Sequence, residues 1–307
     1  MTRVAIVGVG AIGATMAAAV QASGRAELVL CGRTPAREVI VDSPWSGSKG
    51  VMGPVLATPA DVSEAHWVLL AVKAHQTPDT LGWLRRLTSP DTVVAVLQNG
   101  VEHRERVVSL VPAAEILPAV IWFGARTTAP GRVTVNSAPR LTVPDSVHGR
   151  AFADLIRGGV EVDLTDDFVT ESWRKLCRNA VAALMALTHR PAEIFRDDGV
   201  HSLALRLAAE CIRVGRAEGA VLPDSLAREI ADGFARQPPD SGSSILADAV
   251  AGRPLEWDAR NGVIRRLGAR HGIPTPVSDT LVPLLACGTA QPRAAATATC
   301  GAIRSTT

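Results

Sequence analysis

Two stretches of this sequence carry chemistry in their residue types and spacing. In the first, Val4-Ala5-Ile6-Val7 runs directly into Gly8-Val9-Gly10-Ala11-Ile12-Gly13, and an alanine-rich stretch, Ala14 to Ser23, follows. A GxGxxG turn between a hydrophobic strand and a helix is a dinucleotide site. Gly8 permits the tight turn, Gly10 lets backbone approach a pyrophosphate, and Gly13 allows close helix packing, with the helix N–H groups facing the phosphates. Val9, Ala11 and Ile12 complete that loop; outside this context the glycines would make an ordinary turn. A site for NAD usually places Asp or Glu at the end of the second strand, about 20 residues on, to hold the ribose hydroxyls. Here the sequence is Cys31-Gly32-Arg33-Thr34. With no carboxylate to repel a 2′-phosphate and Arg33 able to fork onto it, NADP(H) is the expected cofactor. The plainer reading of Arg33 is a solvated surface arginine.

The second stretch is Trp173-Arg174-Lys175-Leu176-Cys177-Arg178-Asn179. Lys175 and Asn179 are one helical turn apart and so share a face, while Trp173, Leu176, Cys177 and Ala180 cover the adjoining faces. A lysine beside buried positions is a candidate acid, because partial desolvation lowers its pKa toward the working range.

These residues need elements to position them. The first half alternates β-branched runs with helical stretches, the pattern of an α/β fold with a Rossmann-like doubly wound sheet. Strands are expected at Val4 to Val7, Leu28 to Leu30, Trp67 to Val72, Val93 to Leu97 and Ile116 to Phe123. Hairpin-like strands follow at Val133–Val135 and Leu141–Val143, then a helix and the run Val160 to Leu164, which could extend the sheet with an antiparallel part. After Thr165 the strand signals stop. Amphipathic segments at Asp167 to His189, Ser202 to Glu218, Asp224 to Ala235, Ser243 to Ala251 and Asp258 to His271 predict an all-helical C-terminal domain. The expected division is residues 1–166 for the cofactor, 167–290 for substrate and catalysis, and 291–307 as a flexible tail. Lys73 and Asn99 then fall at the carboxyl ends of two strands, where open α/β sheets bind ligands. Each has a bland alternative, a surface lysine and an Asn-Gly turn.

Composition removes several classes. The 32 basic and 30 acidic residues leave a charge of +2, too small for a surface that tracks nucleic-acid phosphates. Cys31, Cys177, Cys211, Cys287 and Cys300 are an odd number, widely spaced, with no CxxC pair, and the seven histidines form no metal-ligand spacing. A reduced, cytoplasmic setting without metal fits. Met1-Thr2-Arg3 runs straight into Val4 without the longer apolar region and cleavage site of a secretory signal, so no leader is expected, and no apolar run is long enough for a membrane span.

From residue 1 to about 285 the chain resembles ketopantoate reductase, the 2-dehydropantoate 2-reductase of pantothenate synthesis. The resemblance rests on the GVGAIG loop, Val72-Lys73-Ala74-His75-Gln76, Gln98-Asn99-Gly100-Val101-Glu102, Trp173-Arg174-Lys175-Leu176 with Asn179, Ser243-Ser244-Ile245-Leu246-Ala247-Asp248, and Gly252-Arg253-Pro254-Leu255-Glu256 with Asn261-Gly262, all in the family's order. It implies NADPH-dependent reduction of a small 2-keto acid, with hydride passing to the ketone carbon and Lys175 as general acid. It also implies that Lys73 and Asn99 line the nicotinamide and the reacting centre. Glu256 would hold the substrate hydroxyl and order the site, and Asn179 and Ser244 would bind the hydroxyl or carboxylate. The bland alternatives are an acidic first-turn residue for Glu256, with Asp258 as N-cap of the next helix, a buried amide for Asn179 and a helix N-terminal serine for Ser244. A homodimer is compatible with all of this.

One position departs from the family. Where it usually carries a second asparagine, this chain has Ala183. Either a neighbour such as Thr188 compensates, or the preferred substrate lacks the group that amide would bind. Two other functions stay open: oxidoreduction of another 2-keto or hydroxy acid, since a Lys-x-x-x-Asn pair also occurs in 3-hydroxyisobutyrate and 6-phosphogluconate dehydrogenases, and a catalytically inactive NADP-sensing protein.

Overall fold

A computed structural model describes residues 1–45 and 48–288; the tail expected at 291–307 lies outside them. The N-terminal half is built on a six-stranded, fully parallel sheet in the order Val55–Leu56, Ala26–Cys31, Thr2–Val7, Trp67–Leu70, Val93–Val96, Glu115–Pro118. Alternate residues of the first strand face opposite layers. Val4 and Ile6 join the core under the helix Ala11–Ser23, whereas Ala5 and Val7 pack with Trp83, Leu84, Leu87 and Val107 on the other side. Because both faces are covered, the strands read as continuous apolar runs rather than alternating ones. Strand order reverses between Thr2–Val7 and Trp67–Leu70, so the chain ends beyond Val7 and Leu70 flank the crevice in which such sheets take ligands.

The expected antiparallel extension is not what forms. Arg132–Val135 and Arg140–Pro144 do not pair with each other. The first lies in a four-stranded sheet between Ala125–Ala129 and Val39–Ser43, with Ser48–Met52 outermost; the second sits between Glu161–Thr165 and Val120–Ile121 in a three-stranded sheet. Asn136–Pro139 separates them, with the Asn136 N–H donating to Gly124 O and the Pro139 carbonyl accepting from Glu161. The helix Val147–Leu155 then returns the chain so that Arg140–Pro144 and Glu161–Thr165 run parallel. The expected strand over 116–123 likewise splits into Glu115–Pro118 and Val120–Ile121, which belong to different sheets.

Beyond Thr165 the described chain is helical. The long helix Phe168–Thr188 starts at Asp167, whose carboxylate accepts from the Thr170 N–H at 3.0 Å. Asp198–Ala217 and Leu226–Ala235 pack beside it around Leu176, Cys177, Ala180, Leu207 and Ile230. A last helix, Pro276–Cys287, was not expected, and Pro283 within it blunts the helical pattern. Its first turn is held by buried Glu210, which accepts from Val277 N at 2.7 Å and from Ser278 N and Oγ at 2.9 and 2.8 Å. The segment from 258 opens as a π turn, Asp258–Gly262, before the α-helix Val263–Arg270. Asp258 does not cap it; its carboxylate pairs with Arg106 and Arg266, of which Arg106 belongs to the first half. Among the described residues no helix is long and apolar enough to cross a membrane, and no His/Cys/Asp/Glu group could hold a metal ion.

Candidate active site

The glycine turn sits at the reversal of strand order. Gly8 has φ +98°, and a Cβ there would lie 2.6 Å from Val72 Cγ1 and 2.7 Å from Val72 N. A Cβ on Gly13 would meet Gly8 O at 2.0 Å. Gly10 is different: nothing lies within 4 Å of its Cβ position, on the open side where the helix Ala11–Ser23 begins. That helix has neither a side-chain cap nor an acidic residue in its first turn, so its first N–H groups are available to an anion. Val9, Ala11 and Ile12 are half-buried around the opening. The residues present therefore fit a dinucleotide pyrophosphate. Gly8→Ala should weaken binding of a nicotinamide dinucleotide by about 100-fold, since both φ and the Val72 contact oppose a side chain; a fluorescence titration with unchanged affinity would show that the turn tolerates it. Arg33 lies in the loop just after Ala26–Cys31, exposed and with no ion pair among the described residues.

The other strand ends meet the helical half. Lys73 pairs through Nζ with the buried carboxylate of Asp248, which also takes Arg253 Nε at 2.9 Å. Asn99 donates from Nδ2 to Glu256 Oε2 at 2.9 Å and accepts on Oδ1 from Asn179 Nδ2 at 3.2 Å. The second oxygen of Glu256 accepts from the Ala74 N–H at 3.1 Å. Glu256 is 7% exposed, so these bonds are made away from bulk water. Gln98 braces the strand ends, donating to Val72 O and Thr77 Oγ1 at 2.9 Å each. Next to it His103 is buried, its ring pushed down to about 4 by desolvation and held against Gln98 O.

Lys175 is half-buried on the long helix, one turn before Asn179. Its ammonium lies 5.0 Å from the centroid of the Trp122 ring and makes no hydrogen bond or ion pair with the described residues. Burial pushes its pKa down to about 8, and the nearby charges of Arg260, Arg178 and Arg140 push in the same direction. Such an ammonium is ready to give up a proton near neutral pH. Trp122 is itself fixed by Nε1 donating to Thr142 Oγ1 at 2.8 Å and by Arg140 stacked on its ring.

The structure thus brings together Lys73, Asn99, Lys175, Asn179 and Glu256 through direct bonds or adjacent turns, with the glycine turn beside them. Ser244 is exposed at the start of the helix Ser244–Val250, and its Oγ accepts from Arg260 Nη2 at 2.8 Å. Ala183 is buried in the helical core. Thr188 does not stand in for the missing amide, because its hydroxyl donates to Leu184 O at 2.9 Å within its own helix. Sequence reasoning missed Arg260, Asp248 and Trp122. Arg260 had a signal, since Glu256 and Arg260 are one helical turn apart, but their guanidinium and carboxylate stand 4.0 Å apart rather than in a close pair.

The family models and the more similar relatives agree on one family. Residues 4–147 match the family described as ketopantoate reductase PanE/ApbA, and residues 167–287 match its C-terminal counterpart. The chain is 45% identical over 293 residues to a 2-dehydropantoate 2-reductase of Mycobacterium tuberculosis, covering 95% of this chain and 99% of that protein. It is 40% identical over 286 residues to a 2-dehydropantoate 2-reductase of Caulobacter vibrioides, covering 93% and 98%. A dimeric ketopantoate reductase from Staphylococcus aureus superposes with a TM-score of 0.84 at 26% identity, covering 94% of this chain and 98% of that one.

Proposed function

We propose, since the chain belongs to the ketopantoate reductase family, that it reduces 2-dehydropantoate to pantoate with NADPH and uses Lys175 as the general acid. The observation that carries this reading is the half-buried Lys175 ammonium. It has no ion partner among the described residues, and it lies one helical turn from an amide that is bonded into the strand-end pair Asn99–Glu256.

In this reading residues 1–166 hold the cofactor and residues 167–290 supply the acid. The turn Gly8–Gly13, with Val9, Ala11 and Ile12, would hold the pyrophosphate, Arg33 the 2′-phosphate, and Lys73 and Asn99 the nicotinamide side. When bound, the reduced nicotinamide supplies the hydride. As the ketone carbon gains that hydride, negative charge grows on its oxygen, and Lys175 passes a proton from Nζ to it. The depressed pKa supports this role, because an ammonium near 8 releases its proton more readily than an ordinary lysine. Glu256 and Asn179 align the substrate hydroxyl, and Ser244 the carboxylate. The S. aureus relative is described as dimeric, and a homodimer is the assembly expected here.

The decisive assay adds ketopantoate and a panel of other 2-keto acids to the purified enzyme with NADPH and with NADH, and follows loss of the reduced cofactor. Rapid oxidation of NADPH with ketopantoate is expected; none with any keto acid would overturn the reading. Preference for a different keto acid is the second reading, favoured by the apolar, fully buried Ala183. Arg33→Ala should weaken NADPH by about 10- to 100-fold, the worth of a charge-assisted contact, and leave NADH nearly unchanged. Equal losses for both cofactors would remove Arg33 from the 2′-phosphate.

A further inference from the structure

Arg260 is 2% exposed, the largest fully buried side chain in the described protein. It sits on the π turn Asp258–Gly262, directly after Glu256, and such widened turns gather at functional sites. A guanidinium carries five N–H donors and, when buried, is ordinarily met by a carboxylate taking two of them. Arg260 has no such partner among the described residues. It makes one hydrogen bond, from Nη2 to Ser244 Oγ, and its Nε is buried with no partner. The two nearby carboxylates are committed elsewhere: Glu256 stands 4.0 Å away and serves Asn99 and Ala74, while Asp248 serves Lys73 and Arg253.

Ser244 is the other half of this arrangement. Because its Oγ accepts from Arg260, its own O–H must point at some other acceptor, and no described residue provides one. Ser244 is exposed where Arg260 is not. The pair therefore presents a hydroxyl donor to the outside with a full positive charge directly behind it, in a site where cations outnumber available anions.

We propose that Arg260 is a positioning residue that makes the site selective for a carboxylate-bearing ketone, by turning the Ser244 hydroxyl outward and by supplying the buried charge the substrate carboxylate balances. The inference rests on the keto-acid reductase reading, and what it adds is the part played by Arg260 in discriminating against an uncharged ketone of the same skeleton.

The test compares a 2-keto acid with its methyl ester, measured as substrate or, where turnover is slow, as competitive inhibitor. At neutral pH, below the Lys175 limb, Arg260→Gln should raise KM for the keto acid by about 30-fold or more, change kcat by less than about threefold and leave KM for the ester unchanged. Arg260→Lys, which keeps the charge but loses the fork, should restore part of the acid's affinity. Ser244→Ala combined with Arg260→Gln should lose less than the product of the single effects, because the two act as a unit. Equal losses for acid and ester, or an unchanged KM for the acid, would overturn the role. If Arg260→Gln fails to fold by circular dichroism, Arg260→Lys decides alone: a KM raised for the acid but not the ester supports the role, and parallel changes overturn it. A wild-type enzyme inert toward every keto acid would instead overturn the reductase reading itself.

Discussion

Lys175→Ala should lower kcat for keto-acid reduction by about 10²- to 10⁴-fold, the usual worth of a positioned general acid, while NADPH affinity stays nearly unchanged. The separation follows from placement. Lys175 belongs to the helix Phe168–Thr188, whereas the pyrophosphate would lie at the start of Ala11–Ser23. Its environment is apolar and cationic, with the Trp122 ring on one side and the charges of Arg260, Arg178 and Arg140 nearby, so the pKa falls to about 8. In the proposed mechanism reduction uses the protonated amine. The rate of reduction should therefore hold at neutral pH and decline as pH rises through about 8, while oxidation of the hydroxy acid, which uses the free amine, should rise over the same interval. In Lys175→Ala this limb should vanish from both directions. A variant that kept the limb, or lost cofactor affinity and turnover together, would assign the proton to another group.

Glu256→Gln is expected to have the second large effect, and it falls on stability as well as rate. The two Glu256 oxygens accept from Ala74 N and Asn99 Nδ2, joining a strand end of the first half to the helical half. A glutamine amide keeps one acceptor and turns a donor toward either Asn99 or Ala74. It also removes the carboxylate nearest the buried Arg260. Weakening two charge-assisted hydrogen bonds inside the protein costs about 3 kcal/mol, which lowers the unfolding midpoint by roughly 5 °C for a chain of this size. With Asn99 released, Asn179 loses its fixed partner and kcat/KM should fall by about 100-fold. Scanning calorimetry and steady-state kinetics check the two parts. Unchanged melting together with full activity would mean that this carboxylate neither ties the halves nor aligns substrate.

Several of these features were legible in the residues themselves. The run Val4–Gly13 announces a strand, a turn and a helix because the local chain has little choice: four consecutive apolar residues suit a strand buried on both faces, and only glycine fits φ +98° against Val72. The helix carrying Lys175 was equally plain, since burial of Trp173, Leu176, Cys177 and Ala180 at helical spacing leaves one face for the lysine and Asn179. The sheets of the middle region were not. Val39–Ser43 pairs with Ser48–Met52 nearby but also with Arg132–Val135, far along the chain, and no local signal encodes that partner.

The sequence by itself determined the glycine turn, the doubly wound sheet with helices after it, and which polar residues were available for catalysis, because each depends on local periodicity, backbone freedom or residue type. Only the tertiary structure decided their partnerships: Lys73 with Asp248, Asn99 between Asn179 and Glu256, and Arg260 buried behind Ser244 without a carboxylate of its own. Those depend on how two halves of the chain dock, and docking is set by the summed fit of many apolar contacts that no short stretch of residues contains.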